Sequence, residues 1–134
     1  MVEPPEAISR FFKGYTNFSG RSSRAEYWWP QLALFLLMAL LGGLLEFLGA
    51  DTETGEPGVV EMIIVLPMTI FLLAIVVPMI ALMVRRLHDM NLSGLVAIPV
   101  YLVGAIPLIG LIGFIVVGSI SGTDGPNKYG PPST

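Results

Sequence analysis

The sequence predicts an all-α integral membrane protein, organised as a single membrane domain over residues 1–134. An N-terminal interfacial amphipathic helix precedes three transmembrane helices. The third region is kinked or, alternatively, a short helical hairpin that brings the count to four. Three observations predict this class. Hydrophobic residues make up 54% of the chain and charged residues only 13%, where an ordinary soluble domain carries about 25% charged residues. The apolar residues also come in blocks, and blocks of about 18 or more read as spanning helices. Finally, the charges are segregated along the chain, so the net charge of −3 says less than their placement.

The first element covers residues 5–18. Ile8, Phe11, Phe12 and Tyr15 fall at i, i+3, i+4 and i+7, one stripe of a helix, with Arg10 and Lys13 off it. A short basic amphipathic helix beside a membrane segment lies in the headgroup layer. The alternative is a helix packed on its own protein. The N-terminus has no short apolar core before a small-residue cleavage site, which argues against a cleavable signal peptide.

The first span covers residues 24–48. Ser23-Arg24-Ala25-Glu26 fits the S-x-x-E capping box. Ser23 and Glu26 are therefore the structural cap. Pro30 lies within the first turns, where a missing N–H costs least. Trp28 and Trp29 suit the interface, with apolar rings and a donor toward water. At about 1.5 Å per residue, residues 28–48 reach roughly 30 Å, the hydrocarbon thickness.

The link at 49–58 is acidic and holds no Lys or Arg, whereas Arg10, Lys13, Arg21 and Arg24 precede the span. The positive-inside rule puts the N-terminus in the cytoplasm and the link outside. The second span, residues 59–84, carries Pro67 and Pro78, so kinks are expected. Arg85 and Arg86 follow it directly and return the chain to the cytoplasm. Glu46 and Glu61 sit near span ends, where water reaches them.

Residues 93–120 reach roughly 42 Å as one helix, long for one span and short for two. Pro99, Pro107, Gly104, Gly110 and Gly113 interrupt them. They read as one tilted, kinked span, or as a hairpin turning near Gly104 to Pro107. A polar tail, residues 121–134, ends the chain.

The densest polar stretch is VRRLHDMNLSG, residues 84–94. If the second helix runs on, Arg85 and Asp89 are i and i+4 and pair. His88 beside Asp89 suggests a base and its orienter, but sequence neighbours on a helix point about 100° apart. With no cysteine, no G-x-S-x-G serine and one histidine, thiol, elbow-serine and metal chemistry have no candidate set. No catalytic residue, metal or cofactor is expected, and the chain reads as a non-enzyme. The candidate lipid- or partner-binding residues are Arg21, Arg24, Arg85, Arg86, His88 and Asp89. Anionic lipid headgroups are the expected partner, since each basic residue near an anionic leaflet is worth about 1 kcal/mol. A homo-oligomer or a membrane-protein partner is also compatible. Nucleic acid is not expected, because the basic residues are few.

The residues also resemble a known family. The order is F-x-G-R-x-x-R-x-E-Y-W, a span, P-x5-V-R-R-L-H-D-x3-S-G, I-P-L-I-G, then G-T-x-G-P-N-K-Y-G. This resembles the bacterial inner-membrane family called domain of unknown function 805, the YhaH/YhaI-like proteins, over about residues 11–131. Asn127, Tyr129 and Gly130 belong to the tail motif. Where the family often has tryptophan after Ser-Gly, Leu95 and Val96 stand here. The resemblance implies a small bacterial inner-membrane protein and carries no activity or catalytic residue with it. Besides the binding module, two functions stay open: a subunit of a small oligomeric transporter or channel, motivated by the broken segments, and a lipid-acting membrane enzyme using His88 and Asp89.

Overall fold

The computed structural model describes residues 2–48 and 58–133. The acidic link read as the outer loop lies almost wholly outside them. The described residues are helical, without strands; the only ladder pairing among them is an isolated bridge between Asn127 and Gly130. The helices are α1 (Pro4–Lys13), α2 (Arg24–Phe47), α3 (Val59–Asp89), α4 (Ala97–Gly104) and α5 (Pro107–Ser119), with a 3₁₀ turn (Gly94–Val96) before α4. The chain divides into two compact units. One is formed by 1–30 and 77–134, the other by 31–76.

Helix α1 is shorter than the expected 5–18, because its chain leaves at Gly14, whose N–H bonds Arg10 O. Its buried residues are Ala7 and Phe11, while Phe12 stays exposed. The apolar stripe is thus divided between the protein and its surroundings. Helix α2 starts as the capping box dictates. Ser23 N–H donates to Glu26 Oε2 at 3.0 Å, and Glu26 N–H donates to Ser23 Oγ at 3.3 Å.

Helix α3 runs through both prolines and continues past residue 84 to Asp89. Its end is built by Asn91, at φ 60°. Leu92 N–H bonds Leu87 O and Asn91 N–H bonds His88 O. That is a Schellman ending with asparagine in the left-handed position, where its short polar side chain is tolerated.

Residues 93–120 do not form one helix. Ala105 and Ile106 turn the chain, with their N–H groups bonded to Leu102 O and Val103 O. Helices α4 and α5 then run antiparallel: a Cβ on Gly110 would meet Gly104 O at 2.4 Å, and the Tyr101 and Phe114 rings lie 5.7 Å apart, edge to face. Gly110 allows this approach because backbone, unlike a side-chain tip, has no room to yield.

The core of the first unit joins Phe11, Tyr27, Leu82, Met83, Leu87, Ala97 and Val117. Elsewhere the helices turn apolar surface outward. Helices α2 and α3 are long and apolar enough to cross a membrane, yet only 6% and 11% of their most apolar stretches are buried. A core helix of a soluble protein would hide that surface. Helices α4 and α5 are shorter, and Leu102, Leu108 and Leu111 on them are exposed.

Candidate functional site

The polar residues of the first unit gather at the C-terminal end of α3. Asp89 is the centre. Its Oδ1 accepts from Arg21 Nε at 2.9 Å and from Ser133 Oγ at 2.8 Å, and its Oδ2 accepts from Arg86 at 2.6 Å. The side chains are 2%, 0% and 4% exposed for Arg21, Arg86 and Asp89. The expected Arg85–Asp89 pair is not formed. Asp89 is taken from i−3 by Arg86 and from the α1–α2 loop by Arg21, which leaves Arg85 turned toward Gly14.

Two guanidiniums on one carboxylate leave a positive charge, and carbonyl oxygens take it up. Arg21 donates to Thr123 O and Gly125 O, each at 2.6 Å. Arg86 donates to Val117 O at 3.1 Å and to Ile120 O. Trp28 Nε1 donates to Gly118 O at 3.1 Å. Val117 O and Gly118 O are last-turn carbonyls of α5 and Ile120 O follows at its C-cap; such carbonyls lack helical partners and carry the negative end of the helix dipole. So Trp28 serves a helix end, where the sequence suggested water as its partner. Arg86 does the same work with a full charge.

The tail motif is part of this assembly. Thr123 N–H and Oγ1 both donate to Asp89 O, and Asn127 Nδ2 donates to His88 O at 2.9 Å. Asn127 Oδ1 accepts from Tyr129 N–H, and Gly130, at φ 127°, closes the turn onto Asn127. The Tyr129 ring stacks on His88, centroids 3.8 Å apart and planes 7° apart. Gly122 passes so close to Asp89 that an added Cβ would sit 2.0 Å from Oδ2. His88 Nδ1 lies 3.1 Å from Gly20 O. His88 therefore touches Tyr129 and Gly20, while Asp89 faces the arginines; no base-and-orienter contact joins the two. Among the described residues no cluster of three or more His, Cys, Asp or Glu is placed to hold a metal.

Of the candidate residues, the structure thus brings Arg21, Arg86, His88, Asp89, Asn127, Tyr129 and Gly130 together. Arg24 is exposed, and Arg85 is buried on the α1 side. There the capping carboxylate has a second task. Glu26 Oε1 accepts from Arg10 at 2.5 Å, and Arg10 also bonds Glu6. The bond to Glu26 first, then that to Glu6, holds the Arg10 guanidinium above its ordinary pKa. Sequence reasoning missed Gly14, Gly118 and Ser133. Gly14 and Gly118 carried no local signal, since what crowds them lies far away in the chain: Arg85 for the first and the Trp28 ring for the second. Ser133 sits in the polar tail, whose contacts no periodicity announces.

A small helical membrane protein, with its polar residues drawn into one ion-paired knot and its long apolar helices uncovered, is the class that this fold and site define. The chain belongs to the family described as Protein of unknown function (DUF805), whose model matches residues 15–131. It is 33% identical over 122 residues to Inner membrane protein YhaI of Escherichia coli (strain K12), covering 88% of this chain and 86% of that protein. It is 34% identical over 122 residues to Inner membrane protein YhaH of the same strain, covering 91% of each. No solved structure matches it significantly.

Proposed function

We propose that the chain is a non-enzymatic module of the bacterial inner membrane that binds anionic lipid headgroups at the cytoplasmic interface. In this reading α2 and α3 span the bilayer. Helices α4 and α5, of 8 and 13 residues, are about 12 and 20 Å long, too short for a hydrocarbon core of about 30 Å. They enter and leave on one side as a re-entrant hairpin. Its turn donates its backbone N–H groups internally, as membrane depth requires. Both chain ends then share the cytoplasmic face with the α3 terminus, which agrees with the arginines there.

The observation that carries the binding reading is the division of the cations. Arg21 and Arg86 are committed to Asp89 and to carbonyls. Among the described residues no carboxylate lies within 4.0 Å of Lys13, Arg24 or Arg85. These three remain for phosphates outside the chain. The non-enzymatic reading is supported by His88 and Asp89, which are occupied with structural partners.

Lipid carried through purification tests this. The parent is expected to retain anionic lipid above its share of the membrane. The Lys13→Gln/Arg24→Gln/Arg85→Gln variant is expected to retain only that share. Equal retention by both proteins would refute the proposal.

A further inference from the structure

Helix α1, the α1–α2 loop, α3 and the start of α2 line a partly open cavity of about 360 Å³. Volumes of about 300 Å³ and above are those of small-ligand sites. Four cations line it, Arg10, Lys13, Arg21 and Arg85, against the single carboxylate of Glu26. Arg10 and Arg21 already hold carboxylates. Arg85 does not. It is 8% exposed, and its buried Nε has no hydrogen-bond partner. A buried guanidinium that feels Glu26 but forms no ion pair with it is costly to fold, and replacing such a charge in a core is ordinarily favourable. Here the guanidinium is instead packed against Gly14 at the cavity wall: a Cβ on Gly14 would lie 2.0 Å from Arg85 Nη1. The glycine leaves the room in which the charge sits.

We infer that this cavity is a binding site for a dianionic phosphate monoester, held by Arg85 and Lys13. Arg10 and Arg21 are answered by Glu6, Glu26 and Asp89, so Arg85 and Lys13 are the surplus, two charges that a dianion neutralises better than a phosphodiester monoanion. A guanidinium and a lysine ammonium are the usual pair for such a group, one as a fork and one as a point charge. Phe11 and Leu82 also line the cavity, giving the rest of an amphiphile an apolar wall. The monoester comes from a lipid headgroup or from a soluble phosphate. The lipid source rests on the headgroup-binding reading above.

The test uses the full chain in mild detergent, with binding read by native mass spectrometry. The probes are phosphatidic acid, phosphatidylglycerol and glycerol 3-phosphate. Phosphatidic acid is expected to bind about tenfold more tightly than phosphatidylglycerol, one strong charge-assisted contact's worth. Arg85→Gln and Lys13→Gln should each abolish that preference. So should Gly14→Ala, which changes no charge but displaces the guanidinium. Lys128→Gln, which removes a charge away from the cavity, should keep it. Should Arg85→Gln fail to fold, Lys13→Gln at the exposed rim and Gly14→Ala carry the test. If glycerol 3-phosphate binds as tightly as phosphatidic acid, the site stands and its source is soluble. If the two lipids bind alike, the three charge-removing variants weaken both only as far as the charge each removes, and Gly14→Ala changes neither, the site is overturned and general headgroup binding survives. If neither lipid binds, both readings fall.

Discussion

At the scale of single residues, Asp89 holds the most consequence. Among the described residues it is the one carboxylate that pairs with two buried guanidiniums. Breaking a buried pair from one side leaves an uncompensated charge and costs about 3–5 kcal/mol. Asp89→Ala is therefore expected to remove most of the folded yield, read as the monodisperse fraction after solubilisation. A thermal midpoint equal to the parent's would contradict the network. Gly122→Ala probes the same carboxylate from the other side. Its Cβ would fall 2.0 Å from Asp89 Oδ2, so it should lower the midpoint while changing no charge. Glu26→Ala removes both the cap and a partner of Arg10; the cap alone is worth about 1 kcal/mol. Of these three sites, the cap was legible in the sequence. S-x-x-E is a local pattern, and its two bonds close within one turn. The Asp89 pairing was not legible, because Arg21 lies 68 residues away, and the local candidate, Arg85 at i−4, was the wrong one.

At the scale of elements, the α4–α5 hairpin depends on close backbone approach. Leucine at 110 would have to occupy the place of Gly104 backbone. Gly110→Leu should therefore separate the two helices and expose Tyr101, whose hydroxyl is buried without a partner. A cysteine introduced at Tyr101 in the Gly110→Leu background should react with a thiol reagent in detergent several times faster than in the parent background, a local opening read directly. Equal rates would mean that the helices tolerate the larger residue and that the glycine is incidental. The sequence marked this region as broken by glycine and proline. It left two readings, since a kinked helix and a hairpin use the same breakers. The partner that separates them is Gly104, six residues back and silent in any periodic pattern. Similarly, the stripe of α1 was legible as a period, but not the division of its face between Phe11 inside and Phe12 outside.

At the scale of the whole molecule, the proposed topology makes both chain ends cytoplasmic. Hydrogen bonds from Arg21 to Thr123 and Gly125 tie the N-terminal loop to the tail. The chain has no cysteine, so single cysteines report cleanly. A cysteine at Ser133 is expected to stay dark to a membrane-impermeant reagent until cells are opened. One at Thr54, which the charge pattern places outside, is expected to label at once. Labelling of Ser133 in intact cells would mean that residues 93–120 cross the membrane, and the re-entrant hairpin would be withdrawn.

The sequence by itself determined the solvent and the building blocks. Blocks of apolar residues, an aromatic pair beside a capping box, and segregated charge are local quantities, and each follows from how a short stretch meets lipid or water. The family motifs were equally visible as ordered residues. Only the tertiary structure decided what those motifs do to one another. Arg86 and Trp28 serve the open carbonyls of α5, and the tail seals the end of α3. Arg21 and Arg86 are spent within the protein, and Arg85, also buried, is left over. An arginine's partner is chosen by which oxygen the fold brings within about 3 Å, and that choice is made by chain return over dozens of residues, where periodicity and propensity carry no information.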